Sequence, residues 1–192
     1  MLLTTPRLTL RELTPEDAPA LHAVLGDEET MRFYPHPFTP VEVDEWIARQ
    51  ISRYPAGTGL LGIVLRNPVL TDPALNDSNT LIGDCGPVWQ TIDGPPELEI
   101  GYHIHRDHRN QGYATEAARA VRDYAFTTLA CDHVISHVIS MIRPENLPSR
   151  RVAEKNGLSL SREVFWRGYH HCVYRLDRKS SAPCPAPEDA AQ

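Results

Sequence analysis

Between Glu97 and Met141 the hydrophobic period switches from two to helical and back to two. Leu98, Ile100, Tyr102 and Ile104 alternate with Glu97, Glu99, Gly101 and His103, which predicts a strand over Glu97 to His105 with the first set facing the core. Glu116 to Leu129 is amphipathic at helical spacing, and His133 to Met141 is rich in Val and Ile. A strand, helix, strand succession of this length makes the two strands parallel neighbours. The connection into the helix is Arg109-Asn110-Gln111-Gly112-Tyr113-Ala114-Thr115. A helix N-terminus presents unpaired N–H groups and about half a positive charge, and Gly112 and Ala114 leave its approach free of bulk. The loop is predicted to hold a pyrophosphate.

The rest of the chain frames this unit. Arg7 to Arg11 alternates as a strand, and Thr14-Pro15-Glu16-Asp17 starts a helix whose apolar face uses Leu21, Val24 and Leu25. Thr39-Pro40-Val41-Glu42 has capping-box spacing and starts a second helix, with Val43, Trp46, Ile47 and Ile51 inward. Between them Met31 to Phe38 is aromatic and broken by Pro35 and Pro37, a loop whose Phe33 and Phe38 can cover the core edge. Leu60 to Leu65, Thr80 to Gly86 and the strand from Glu97 form an antiparallel meander, with a long Pro-, Asn- and Asp-rich insertion over Arg66 to Asn79. Asn146 caps a short helix that stops at Asn156-Gly157, and Leu158 to Trp166 and His170 to Leu176 pair through Arg167-Gly168. The expected fold is α+β: one domain over residues 1–178, a mixed, mostly antiparallel sheet of about six to seven strands flanked by helices. Residues 179–192 are expected to be a disordered tail.

Composition narrows the function. A net charge of −6 without a Lys/Arg cluster excludes a nucleic-acid partner. There is no apolar run near the roughly 20 residues of a membrane span and no signal-peptide pattern after Met1, so the expectation is a cytoplasmic protein without a membrane partner. Cys85, Cys131, Cys172 and Cys184 form no C-x-x-C pair and are read as reduced thiols. His103, His105 and His108 mix strand and loop positions, and no metal is expected.

The R-x-x-G-x-A spacing of the loop resembles the pyrophosphate loop of the GNAT superfamily of acetyl-coenzyme A dependent N-acetyltransferases. Glu99-Ile100-Gly101-Tyr102 before it, Ala114-Thr115-Glu116-Ala117 at the helix start, Asn146-Leu147-Pro148-Ser149 and Glu154-Lys155-Asn156-Gly157-Leu158 follow in the same order, and Thr5 to Arg11 fits as first strand. The set is similar to the branch containing the ribosomal-protein N-terminal acetyltransferases, over about Leu3 to Leu176.

That resemblance implies acetyl-coenzyme A as co-substrate, a primary amine (protein N-terminus or small molecule) as acceptor, and a monomer or homodimer. It implies that Arg109, Asn110, Gln111, Gly112, Tyr113, Ala114 and Thr115 bind the diphosphate. The backbone of Tyr102, His103 and Ile104 would take the pantetheine arm as an added strand, and one of its N–H groups would polarise the thioester carbonyl. Asn146 would lie near the pantetheine amide and Ser149 near the sulfur.

From the residues themselves, Glu99 beside the open position of Gly101 is the candidate general base, a role that needs partial burial or a water; the alternative is a solvated strand carboxylate. His103 shares that face and either assists or contacts substrate, or is a satisfied strand residue. The resemblance makes Phe33, Tyr34 and Trp166 further acceptor-wall candidates. The helix after Asn146 has no tyrosine to act as acid, which leaves Ser149 to hydrogen-bond the thiolate and water to protonate it. Direct attack is expected, because no Cys or Ser lies in a nucleophile motif. The rival reading is a non-catalytic acyl-coenzyme A sensor of the same fold.

Overall fold

The computed structural model describes residues 1–66, 80–129 and 137–178. Its strands are β1 (Leu2–Thr4), β2 (Leu8–Arg11), β3 (Leu61–Leu65), β4 (Leu81–Gln90), β5 (Glu97–Ile104), β6 (His137–Ile142), β7 (Ser159–Trp166) and β8 (Tyr169–Asp177). The helices are α1 (Ala18–Leu25), α2 (Glu28–Met31), α3 (Pro40–Ile51), α4 (Tyr113–Tyr124) and α5 (Leu147–Lys155). The strands make one sheet in the order β1-β2-β3-β4-β5-β6-β8-β7, in which β5 and β6 are the parallel pair and the other neighbours are antiparallel.

The sheet has eight strands rather than six or seven, because the three residues of β1 are too few to show an alternation. It also runs through Pro87, where Thr80 to Gly86 was expected to stop. The ladder from β3 ends at Leu61↔Cys85, so the N–H that Pro87 lacks is not needed on that side, while its carbonyl still accepts from Gly59 N at 2.7 Å.

Each face of the sheet has its own core. Leu98, Ile100 and Ile104 of β5 pack with Ala117, Ala118 and Val121 of α4, as alternation requires. Leu21, Val24 and Leu25 of α1 meet Val43 and Ile47 of α3 in a second cluster. The capping box of Thr39 and Glu42 closes the start of α3. Along that helix Gln50 is buried and Ile51 exposed, the reverse of the apolar reading, because the Gln50 amide oxygen accepts from Leu60 N at 3.1 Å and from the Arg53 guanidinium at 3.1 Å. The hairpin between β7 and β8 turns with positive φ at both Arg167 and Gly168, the geometry of a two-residue type I′ turn.

The inserted segment over 67–79, the start of the strand expected from His133, Cys131, Cys184 and the tail all lie outside the described residues. Among those described, no helix is long and apolar enough to cross a membrane.

Candidate active site

The parallel pair is registered only at Leu98↔Val138 and Glu99↔Ile139. Past that point the Ser140 hydroxyl takes the Ile100 carbonyl at 3.0 Å, and β5 runs on to Ile104 without β6 register. The two strands therefore fork at Glu99, leaving the Gly101 to Ile104 backbone beside a gap. On the far side of the gap, Asn146 caps α5 by accepting from Ser149 N at 3.2 Å, and the Tyr102 hydroxyl donates to the Ser149 carbonyl at 2.9 Å. Burial pushes the Tyr102 hydroxyl well above its ordinary pKa.

Glu99 sits at the fork, half-buried, with Met141 N donating to Oε1 at 3.4 Å. Burial raises its pKa, against the opposing pull of bonds from Gln90 and Met141 and of the charges of His103 and Arg167. Gly101 leaves room next to it, since a Cβ there would touch only Leu60 Cδ2 at 3.8 Å.

The loop from β5 to α4 has left-handed backbone at Asn110 (φ 61°) and Gly112 (φ 84°). These two turns bring the chain round so that α4 begins at Tyr113, three residues earlier than Glu116, where the hydrophobic pattern first shows it. The N–H groups of Tyr113, Ala114 and Thr115 belong to the first turn and have no intrahelical acceptor.

The loop is braced from two directions. Arg7 donates from Nε to Glu116 Oε2 at 2.7 Å and from Nη1 to the Gln111 carbonyl at 2.9 Å, and its guanidinium lies 4.6 Å from the Tyr113 ring centroid. Thr5 adds a hydroxyl bond to Glu116 at 2.7 Å. Burial opposes the Glu116 charge, but the Thr5 and Arg7 bonds outweigh it and hold the carboxyl below the usual carboxylate range. Arg109, expected at the anion, is placed on α2 instead: its guanidinium reaches Glu29 at 2.9 Å and the Thr30 hydroxyl at 2.6 Å. Its charge is paired there, and it holds the loop to α2.

The largest departure from the sequence reading surrounds His103. Its Nδ1 lies 2.7 Å from Oδ1 of Asp84, and its Nε2 lies 2.7 Å from the Tyr34 hydroxyl. Asp84 is 0% exposed and also accepts from Trp46 Nε1 at 3.0 Å. Asp84 and Trp46 had no motif to mark them, since a cross-strand pair forms only once β4 and β5 are in register, Asp84 opposite His103.

Tyr34 thus joins His103 and Glu99 on one face, and burial with the charges of Glu99 and Asp84 raises its hydroxyl pKa. Phe33 is half-buried under the Arg32 guanidinium, 4.6 Å from its ring centroid. Trp166 packs on the cluster of Ile139, Val164 and Val173, with the Arg167 guanidinium 4.2 Å from its ring centroid and the His171 ring edge-on at 6.0 Å.

Residues 7–159 match the acetyltransferase (GNAT) domain family. An N-acetyltransferase of Bacillus licheniformis, p20, itself described as uncharacterized, is 32% identical over 176 residues, covering 91% of this chain and 90% of the relative. Among solved structures, an acetyltransferase from Agrobacterium tumefaciens strain C58 superposes with a TM-score of 0.71 at 28% identity, covering 92% of this chain and 94% of that one. A GNAT-family acetyltransferase from Bacillus anthracis shares the fold with a TM-score of 0.72 at 24% identity, over 93% of this chain and 99% of that one. With a forked parallel strand pair joined through a helix that starts behind Gly112, and with four-fifths of its length matched, this chain belongs to the GNAT acetyltransferase family and is an acyltransferase.

Proposed function

We propose that the chain transfers an acetyl group from acetyl-coenzyme A to a primary amine, a protein N-terminus or a small molecule, by direct attack. The observation that carries this reading is Glu99 at the strand fork, a half-buried carboxylate whose pKa burial raises towards that of a useful base. An acceptor nitrogen above Gly101 would have that carboxylate at its side, and the fork would bring the thioester to the same place.

The diphosphate is assigned to the N–H groups of Tyr113, Ala114 and Thr115 behind Gly112, with Asn110 and Gln111 shaping the approach. Arg109 supports the loop. The Tyr102, His103 and Ile104 backbone takes the pantetheine arm, Asn146 sets the start of α5, and the Ser149 hydroxyl hydrogen-bonds the departing thiolate. Tyr34 and His103 wall the acceptor side, with Phe33 and Trp166 at its margins. The free, buried thiols of Cys85 and Cys172 suit a reducing cytoplasm.

The test is release of coenzyme A thiol with a panel of primary amines and N-terminal peptides. Glu99→Gln is expected to lower kcat by about 10²- to 10⁴-fold while calorimetry shows acetyl-coenzyme A still bound. Binding without release by any amine would select the sensor reading, and absence of binding would end both.

A further inference from the structure

A carboxylate with no exposure needs donors, and Asp84 has two: the Trp46 indole N–H and His103. An acceptor at Nδ1 fixes the histidine tautomer, placing the ring proton there and leaving the Nε2 lone pair free to accept. The Tyr34 hydroxyl, 2.7 Å away, donates into it. Asp84 thereby holds the ring in place, with Nε2 turned to the Tyr34 hydroxyl. The array has a direction. The His103 side chain is 9% exposed and Tyr34 42%, so a proton reaches the imidazole from outside through the tyrosine.

Glu99 and His103 lie on the same face of β5 with Gly101 midway, and the space over Gly101 is open. A nitrogen there has the carboxylate on one side and the Tyr34 hydroxyl on the other. The charged and titratable groups facing His103 are Asp84 from β4, Tyr34 from the loop after α2 and Glu99 from its own strand, while α3 contributes the neutral Trp46.

Resting on the acetyl-transfer reading above, we propose that the site holds two proton acceptors: Glu99, and the Asp84–His103 pair reached through the Tyr34 hydroxyl. An ammonium acceptor must lose two N–H protons to become an amide. Glu99 takes the first, freeing the lone pair. After attack the nitrogen carries a positive charge and the former carbonyl oxygen a negative one. As the C–S bond breaks and its electron pair leaves on sulfur, the nitrogen gives its second proton to Tyr34, which passes its own to His103 Nε2. Asp84 and Trp46 are positioning residues. A phenol ionises only at about pH 10, so the Tyr34 hydroxyl is protonated at rest near neutral pH, as a relay requires.

Nitrogen-edited proton NMR of the full chain tests the geometry without turnover. A strongly downfield His103 Nδ1 proton is expected in wild type and in Tyr34→Phe, and is lost in Asp84→Asn and His103→Gln. With an amine that the wild type acetylates, His103→Gln should lower kcat by about 100-fold, and Tyr34→Phe by about 10-fold or more, each keeping coenzyme A affinity. The double variant should be no slower than His103→Gln, since the two residues act in series. If Asp84→Asn does not fold, the other two variants carry the decision. An active wild type with His103→Gln within about two-fold of it overturns the relay and leaves the transfer reading standing. A wild type that releases coenzyme A with no amine overturns the transfer reading and the relay with it, and a missing downfield proton overturns the Asp84 contact.

Discussion

Replacing Gly112 by alanine separates what its backbone does from what its small size does. Gly112 precedes α4 at φ 84° and ψ 2°, where an L-residue costs about 1–2 kcal/mol. Sterics add little, because a Cβ there would meet only Arg7 Nη2 at 3.4 Å, the far end of a flexible side chain. The loop has two responses. It keeps its shape and accepts the strain, lowering Tm by about 2–8 °C for a chain of this size, or it relaxes φ and rotates the peptides on either side of residue 112. Rotation turns the first amide of α4 away from the anion. A backbone bond to a charged acceptor contributes about 1.5–3 kcal/mol, so Kd for coenzyme A should rise about 10- to 150-fold. Gly168 is the control: it has φ 86°, open space with nothing within 4 Å of where a Cβ would stand, and a place in the β7–β8 turn away from α4. Gly168→Ala should lose comparable stability at unchanged affinity. The assays are scanning fluorimetry and calorimetric titration with coenzyme A. If Gly112→Ala keeps wild-type stability, the strain having been relieved by rotation of the peptides, and still binds within about two-fold of wild type, the diphosphate does not rest on these amides.

Three further outcomes follow from the contacts around the site. Glu116→Gln should weaken coenzyme A binding several-fold by releasing Thr5 and Arg7 from the loop; if charge repulsion dominated, titration would show tighter binding instead, because a carboxylate near an anion site has gone. Trp46→Phe leaves one oxygen of buried Asp84 without its donor and should cost about 1–3 kcal/mol in chemical denaturation, a loss that a neutral packing role would not produce. Asp17 is paired with Arg11 through bonds of 2.8 and 2.7 Å; burial opposes its charge but the Arg11 and Thr14 bonds prevail and lower its pKa. Its folded pKa is depressed, so the stability it contributes is present above the unfolded carboxylate value of about 3.9 and is lost as pH falls through the folded one. Asp17→Asn should therefore be less stable at neutral pH, by about 2 kcal/mol, with the gap closing in acid, and a gap constant with pH would show that the pair is not its source.

The parts of this fold that were legible in the sequence are those that local physics fixes. Alternation over Leu98 to Ile104 named the face of β5 against α4, and Asn146, Thr39 and Glu42 announced their helices because capping is a contact between near neighbours. Gly112 was legible as a small residue at a helix start, but its left-handed backbone, the feature that only glycine adopts at little cost, shows only in the fold. What stayed hidden depends on distant chain segments meeting. Arg109 has the charge that a phosphate loop suggests, but only the fold shows Glu29 and Thr30 already holding it. Glu116 opens α4 as an ordinary first-turn acid, and its use as the post to which Thr5 and Arg7 tie the loop spans more than a hundred residues.

His103 shows why the site face was harder to read than the core face. On the core side a side chain needs only apolar volume, which alternation reports; on the opposite side the meaning of each polar residue depends on its partner. His103 alone fits a satisfied residue of a half-buried strand as readily as one that assists the base or contacts substrate. Across from Asp84 it has one tautomer, and under Tyr34 it has one outlet. The fork in the sheet determines which of these polar residues matter, for β5 leaves β6 at Glu99, and the next outward positions, Gly101 and His103, stand along the gap that opens there. A substitution that re-registered the parallel pair by two residues would move the fork away from Glu99 and close or displace the gap beside Gly101, leaving Glu99 and His103 together on β5 but without the opening they line. Chemistry here is specified by where two strands part, and only secondarily by the residues that line the opening.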